Sequence, residues 1–353
     1  MKAIRLASAG SPLQLTDVAE PVLRPGGVIV RVKSAPIMSF MKRVVSGELG
    51  YTMPTPFTPG ANAVGMVEAV ADDVFDLEPG QPVFCDPHIT AASAGTTPAA
   101  ILIGLTGLTP GAERLQHIWR DGTFAERILW PAQALTPIKG FSAIDYARIS
   151  CVSSLAIPYG GLLRGEFRPG QTLIVNGATG RLGTAAILVA LALGAGKIVA
   201  VGRDQQALTK VRQLDERRIT PVILTGRHDS DVANIQATAQ GADMVLDMLG
   251  GAVTPDPTLA CLQALRPRGT AVWMGGVQAT IPLSYAQLML SEITIRGAFM
   301  YPRSAPAELL NMIAAGTLDL SALHINTFPL EQFNEALDYA AQSKGLEFSV
   351  FVL

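Results

Sequence analysis

The sequence predicts an α/β protein in which a doubly wound parallel sheet is joined to a barrel-like, mainly antiparallel β domain. Three observations point there. At 353 residues the chain can bury two separate cores. Its first 150 residues carry short strand-like runs divided by Pro- and Gly-rich turns, the spacing of a small antiparallel domain. From Phe167 the rhythm becomes strand, helix, strand, the pattern of βαβ units on a parallel sheet.

In the first part the strand-like runs are Ala3–Leu6, Gly27–Lys33, Val64–Val70, Pro82–Cys85 and Phe124–Leu129. Turn signals sit between them at Arg24–Gly27, Glu78–Gln81 and Arg120–Gly122. Ile89–Gly111 is rich in Ala, Thr and Gly, and its Ala99–Leu108 portion reads equally as a buried loop or a short helix.

The second part is organised around Gln171–Val201. Thr172–Val175 is a buried strand, Asn176 and Gly177 turn the chain, and Gly180 and Gly183 follow three residues apart. Thr184–Leu193 is an Ala/Leu-rich helix suited to packing on a sheet, and Ile198–Val201 is a second buried strand. Glycines in such a turn admit a backbone approach that a Cβ would block. The helix start offers free N–H groups and a positive dipole end to a diphosphate. Ala178, Thr179, Gly180, Arg181, Leu182 and Gly183 are therefore the candidate dinucleotide-binding (Rossmann) turn, with Ala178 where the usual first glycine would stand.

The alternation continues through a helix at Gln205–Leu214, capped by Asp204, and a strand at Pro221–Leu224. Asp231–Ala239, Met244–Asp247, Thr258–Leu265, Thr270–Met274, Tyr285–Leu290 and Thr294–Phe299 complete six strands with helices between them. Helices at Ala307–Ala315 and Leu330–Ala341 and a strand at Glu347–Leu353 return the chain to the first domain. The expected division is 1–154 with 299–353 for the substrate domain and 155–298 for the dinucleotide domain.

Composition excludes several classes. With 27 basic and 29 acidic residues, no bulk attraction to nucleic acid or an anionic membrane is expected. No run reaches the roughly 18 apolar residues of a membrane span, and the MKAIRLASAG start lacks a secretion signal, so a cytoplasmic protein is expected. Cys85, Cys151 and Cys261 are scattered, which fits neither a disulfide framework nor a cysteine-rich zinc lobe.

Taken in order, these blocks resemble the medium-chain dehydrogenase/reductase superfamily along nearly the whole chain. The matching residues are Pro59-Gly60 with Gly65 and Val67, Glu78-Pro79-Gly80, Gly122-Thr123-Phe124-Ala125-Glu126, Arg168-Pro169-Gly170 and the Ala178–Gly183 turn. Ala242-Asp243, Asp247, Gly250-Gly251, Leu330-Glu331 and Glu335-Ala336 complete the set. The resemblance implies a catalytic domain built from both chain ends, a Rossmann domain from the middle, and an apolar cleft between them.

Zinc-dependent members hold their metal with a cysteine, the histidine of a Gly-His-Glu triplet, and a cysteine or aspartate before the cofactor domain. The matching positions here are Met38, Ala61 and Ser153, and the triplet reads Gly60-Ala61-Asn62. Thioether, methyl and hydroxyl cannot replace thiolate, imidazole or carboxylate, so no metal is expected. The chain is accordingly similar to the zinc-independent quinone oxidoreductase and enone reductase branch. The same pattern puts Met38, Phe40, Trp119 and Trp273 on the substrate pocket and Gly275 and Phe299 against the cofactor.

Cofactor choice lies at Val201-Gly202-Arg203-Asp204. Gly202 removes the carboxylate that would repel a 2′-phosphate, and the Arg203 fork can bridge one, which points to NADPH; Arg203 as a plain surface charge stays open. For the proton donor, His88 follows the Pro82–Cys85 strand, with Asp86 a candidate to orient it, and Tyr51 precedes Gly60. A merely structural His88, an ordinary Asp86-Pro87 turn and a solvent proton remain open. The expected function is NADPH-dependent hydride transfer to a small hydrophobic enone or quinone. The rivals are a dinucleotide-binding structural or sensory protein and a reductase of C=O or C=N groups. A homodimer paired through Thr294–Phe299 is expected, since that β-branched edge needs covering.

Overall fold

The chain divides by its own contacts into two units. Met1–Ser153, Leu323–Ser343 and Glu347–Leu353 form one, and Ser154–Ala322 with Lys344–Leu346 form the other. The computed structural model describes residues 1–91 and 98–353.

The first unit begins with the antiparallel pair β1 (Lys2–Arg5) and β2 (Gln14–Asp17). Next come β3 (Gly27–Ile37), α1 (Met41–Val45), β4 (Ala63–Val70) and β5 (Pro82–Cys85). Along β3, Val28, Val30 and Val32 are buried while Arg31 is exposed, the period-two alternation of a strand with one face on a core. Then follow β6 (His88–Thr90), β7 (Ala100–Leu102), β8 (Thr106–Gly107), α2 (Glu113–Ile118), β9 (Arg127–Pro131), β10 (Leu135–Pro137) and α3 (Tyr146–Ser150). The Ala99–Leu108 segment, readable from sequence as loop or helix, is thus β-structure: β6, β7 and β8 form a small antiparallel sheet. Ala92–Thr97, part of the ambiguous Ile89–Gly111 segment, lies outside the described residues.

The second unit contains α4 (Val152–Arg164) from its third residue onward. It continues as β11 (Thr172–Asn176), α5 (Arg181–Ala192), β12 (Lys197–Gly202), α6 (Gln205–Arg212), β13 (Ile219–Ile223), α7 (His228–Ala239) and β14 (Ala242–Asp247). After these come α8 (Asp256–Leu262), β15 (Leu265–Trp273), α9 (Tyr285–Leu290), β16 (Thr294–Gly297) and α10 (Ala305–Ala314). The strands form one parallel sheet in the order β13-β12-β11-β14-β15-β16. Strand order therefore reverses between β11 and β14, where an open α/β sheet binds its ligand beyond the strand C-termini. Ile174, Val199, Val201, Val245 and Ala271 from neighbouring strands make one face of the core, met by Ile235 of α7 and Cys261 of α8.

The tail supplies β17 (His324–Phe328), α11 (Phe333–Gln342) and β18 (Glu347–Val352) to the first unit. Its main sheet runs β10-β5-β4-β3-β18-β17, with β9 also on β3, and every pairing is antiparallel except β17 with β18.

The first domain boundary falls within a residue of expectation, but the second moves from residue 299 to 323. Packing explains the shift. A Cβ at Gly160 would lie 2.4 Å from the Met300 carbonyl, and Tyr159 on α4 donates a 2.5 Å hydrogen bond to Glu308 on α10. Helix α10 is thereby tied to the second unit.

Candidate active site

In the second unit the site grows from the turn between β11 and α5. Gly177 has φ +80°, a conformation that favours glycine, and its amide and that of Ala178 donate to the Val201 carbonyl of β12. A Cβ on Gly183 would sit 2.1 Å from the Gly177 carbonyl oxygen, so only glycine lets α5 close onto the turn. Gly180 differs: it has ordinary backbone angles, and a Cβ there would meet only the Gly177 oxygen, at 3.4 Å. Gly180 is the helix N-cap, with no side-chain cap on α5. The turn thus presents uncapped helical N–H groups beside a position with open space above it, and these residues fit a dinucleotide diphosphate.

Around this turn the strand ends complete the cradle. Gly202 ends β12, and a Cβ there would lie 3.1 Å from Cγ2 of Thr179, leaving little room for a longer side chain. Arg203 beyond it is exposed, whereas the Asp204 carboxylate caps α6 by accepting the Ala207 amide at 3.0 Å. At the end of β14, Asp247 is buried and accepts from Thr258 at 2.6 Å, Asn176 at 3.1 Å and the Leu249 amide at 3.0 Å. Burial raises its carboxyl above the usual range, and those three donors oppose the shift. This network fixes the 247–251 loop, on which Gly275 rests so closely that a Cβ would fall 2.3 Å from the Leu249 oxygen. Phe299 is 68% exposed, while Trp273 packs partly onto the core of this unit.

The first unit gathers its candidates at one end of its main sheet. Antiparallel pairing sets Ser34 of β3 opposite Val64 of β4, and Ala63 opposite Cys85 of β5. Residues after β3 (Met38), before β4 (Ala61, Asn62) and after β5 (Asp86, His88) therefore share that end. A 2.6 Å bond from the Ser34 hydroxyl to the Tyr146 carbonyl places α3 there too, and Ser153 follows. Ala61 is buried, and Ser153 donates its hydroxyl to the Ser150 carbonyl at 3.1 Å. A thioether, a methyl and a hydroxyl spent on the end of the preceding helix do not fit zinc. Among the described residues no group of three or more His, Cys, Asp or Glu side chains is placed to hold a metal ion.

The proton-donor candidates stand as follows. The Asp86 carboxylate accepts the main-chain amide of His88 at 2.9 Å, as in a plain Asx turn, and Trp130 anchors the turn by donating 2.9 Å to the Asp86 carbonyl. Burial pushes the His88 imidazole below its ordinary value, opposed by Asp86. It is therefore mostly neutral at pH 7, which weakens it as a general acid. Burial raises the Tyr51 phenol, partly opposed by Arg43, so that side chain stays protonated. Phe40 is the N-cap residue of α1. Trp119 lines a cavity of this unit together with Arg24 and Asp121, and neither Met38 nor Phe40 is on that cavity's wall.

Both halves of the chain match known families. Residues 24–140 match the alcohol dehydrogenase GroES-like domain and residues 182–315 the zinc-binding dehydrogenase domain. The chain carries the two domains of the medium-chain dehydrogenase/reductase superfamily. It is 26% identical to an NAD-dependent alcohol dehydrogenase of Sulfurisphaera tokodaii over all of both chains. It is 23% identical to a sorbitol dehydrogenase of Bacillus subtilis, covering 94% of this chain and 92% of that one. Among solved structures, an alcohol dehydrogenase from Thermus sp. ATN1 superposes with a TM-score of 0.79 at 25% identity, covering 100% and 99% of the two chains. As a medium-chain dehydrogenase/reductase the protein is an oxidoreductase that uses a nicotinamide dinucleotide. The two relatives and the solved structure named here carry alcohol or sorbitol dehydrogenase names.

One element escaped the sequence reading. Lys344–Leu346, between α11 and β18, belongs to the second unit, and a Cβ on Gly345 would lie 3.9 Å from the Thr179 carbonyl. Lys344 thus stands beside the glycine turn. The only trace in the sequence was a basic residue before Gly345, at +56° φ, and nothing local tied it to a turn some 165 residues earlier.

Proposed function

We propose that the protein is a zinc-independent, NADPH-dependent reductase of conjugated enones or quinones. The observation that carries this reading is the donor set Met38, Ala61 and Ser153 at the sheet end where metal-dependent relatives would hold zinc. A simple alcohol or carbonyl needs its developing oxygen charge held by a strong electrophile and its proton relayed. A conjugated acceptor develops charge on a remote oxygen, where one hydrogen-bond donor suffices.

Bound NADPH supplies the hydride. The amides of Arg181, Leu182 and Gly183, with Lys344 beside them, hold the diphosphate. Gly202 leaves no carboxylate to repel a 2′-phosphate, and Arg203 offers its planar fork to that group. Met38 and Phe40 give an apolar wall for the flat substrate body. Tyr51 keeps its proton and can donate a hydrogen bond, and solvent protonates the carbon afterwards.

A second reading is favoured by the relatives' names together with His88. An imidazole kept neutral by burial is suited to accept a proton, as alcohol or polyol oxidation without zinc would require. A panel of one enone, one quinone, one primary alcohol and one polyol, each with both dinucleotides, separates the readings. Enone or quinone reduction with negligible alcohol and polyol oxidation supports the first. Alcohol or polyol oxidation without enone reduction supports the second, and dinucleotide binding without any turnover supports a sensory or structural protein. Self-association fits the same account: β16 is a sheet edge, and Tyr285 and Leu290 on α9 are 81% and 77% exposed, an apolar surface for a second copy.

A further inference from the structure

The first unit holds a cavity of about 480 Å³ between the β1–β2 region and the segment that leads from α2 into β9. None of Met38, Tyr51, Ala61, His88 and Ser153 lines it. Four arginines reach its wall, Arg5, Arg24, Arg120 and Arg127, against two carboxylates, Glu20 and Asp121. The carboxylates are already engaged. Asp121 accepts from Arg5 at 2.6 Å, from Arg120 at 3.0 Å and from the Thr58 amide at 2.8 Å. Glu20 lies 3.5 Å from Arg127, which also donates to Glu68 at 2.7 Å.

Arg24 is the one left over. Its guanidinium carbon lies over the Trp119 ring, 4.7 Å from the centroid, and among the described residues it makes no salt bridge and no side-chain hydrogen bond, feeling Asp121 only through its charge. Burial and the nearby Arg120 charge disfavour its protonated form, the Asp121 charge opposes them, and the group stays charged at neutral pH. A guanidinium stacked on an indole directs its N–H donors outward in the plane, where they match two oxygens of a phosphate or carboxylate. Trp119, Ile118 and Val22 offer apolar surface beside that charge.

We propose that this cavity binds a small organic oxyanion, a phosphate ester or carboxylate whose head pairs with the free fork of Arg24 and whose flat or apolar body lies along Trp119. The anion relieves the charge excess that Asp121 and Glu20 leave uncompensated. The Arg24–Trp119 stack is pre-formed, so little side-chain ordering opposes binding.

The test is calorimetric titration of the full chain, saturated with NADPH so that the dinucleotide turn cannot take the probe. Phenyl phosphate, benzoate and inorganic phosphate are compared. Phenyl phosphate is expected to bind saturably, inorganic phosphate at least about tenfold more weakly because it lacks the body, and benzoate in between because it carries one charge. Arg24→Gln should weaken phenyl phosphate by about tenfold or more, with NADPH affinity and melting temperature unchanged. Arg24→Lys, which keeps the charge and stem but not the fork, should lose less, and it serves as the variant if Arg24→Gln melts early. Absence of saturable binding overturns the proposal. So does wild-type affinity in both variants, binding only when NADPH is left out, or inorganic phosphate binding as tightly as phenyl phosphate.

Discussion

Gly180→Ala and Gly183→Ala form a pair whose outcomes should split. At Gly183 a Cβ would fall 2.1 Å from the Gly177 oxygen, far inside any contact, so the turn or α5 must move. Such overpacking costs about 1–3 kcal/mol. For a unit of this size each kcal/mol lowers the melting temperature by about 2–4 °C. At Gly180 the nearest atom is 3.4 Å from the added methyl and the backbone suits any residue. Reduced freedom of the unfolded chain stabilises by about 0.4–1 kcal/mol, and the poorer N-cap offsets a similar amount, so stability should barely change. The methyl would nonetheless stand where a diphosphate must approach the helix start. Gly180→Ala should therefore melt like the wild type yet bind dinucleotide at least about tenfold more weakly, the equivalent of one lost charge-assisted hydrogen bond. Differential scanning fluorimetry and titration of intrinsic fluorescence with NADPH read the two quantities. Normal dinucleotide affinity in Gly180→Ala, or equal destabilisation of the two variants, would refute the assignment of the turn.

Arg203→Ala should weaken NADPH binding by about tenfold or more and leave NADH nearly unchanged, and equal losses for both would show that Arg203 does not read the 2′-phosphate. His88→Gln should change enone turnover by less than about tenfold, below the range of a true general acid, if solvent supplies the proton. Because burial lowers the His88 pKa, the unfolded chain takes up its proton first as pH falls. The wild type should thus lose stability below about pH 6.5, and His88→Gln should lose less over that window, as measured by denaturant titration at several pH values. Light scattering at micromolar concentration should give twice the 37.2 kDa chain mass, and Leu290→Glu on α9 should shift the protein toward monomer.

The dinucleotide domain was legible because its signals are local. Buried-strand runs, the Gly180–Gly183 spacing and the Asp204 cap each lie within a few residues, and five of the six observed strands begin and end within two positions of expectation, while β15 starts five residues early at Leu265. The first unit was harder to read. Ala99–Leu108 becomes β-structure only because Ile101 pairs with Ile89 and Gly107, contacts that local composition does not encode. The expected Phe124–Leu129 strand starts at Arg127 instead, since Ala125 makes only an isolated bridge to Ala3. The second domain boundary was missed because the Tyr159–Glu308 bond and the Gly160 contact join segments about 140 residues apart. Within the site, Met38 and Ala61 could be placed by motif, whereas the charge imbalance that singles out Arg24 depends on which arginines Asp121 and Glu20 engage. Position in the family pattern says nothing of the contact Trp119 makes with Arg24, which lies 95 positions earlier.

The central claim is that Met38, Ala61 and Ser153 leave this oxidoreductase without a catalytic metal. The direct measurement is zinc content by elemental analysis of active, chelator-free protein, with enone reduction assayed before and after dialysis against a strong chelator. Far less than one zinc per chain and unchanged NADPH-dependent turnover are expected. One zinc per chain, with activity abolished by the chelator and restored by zinc, would contradict the account.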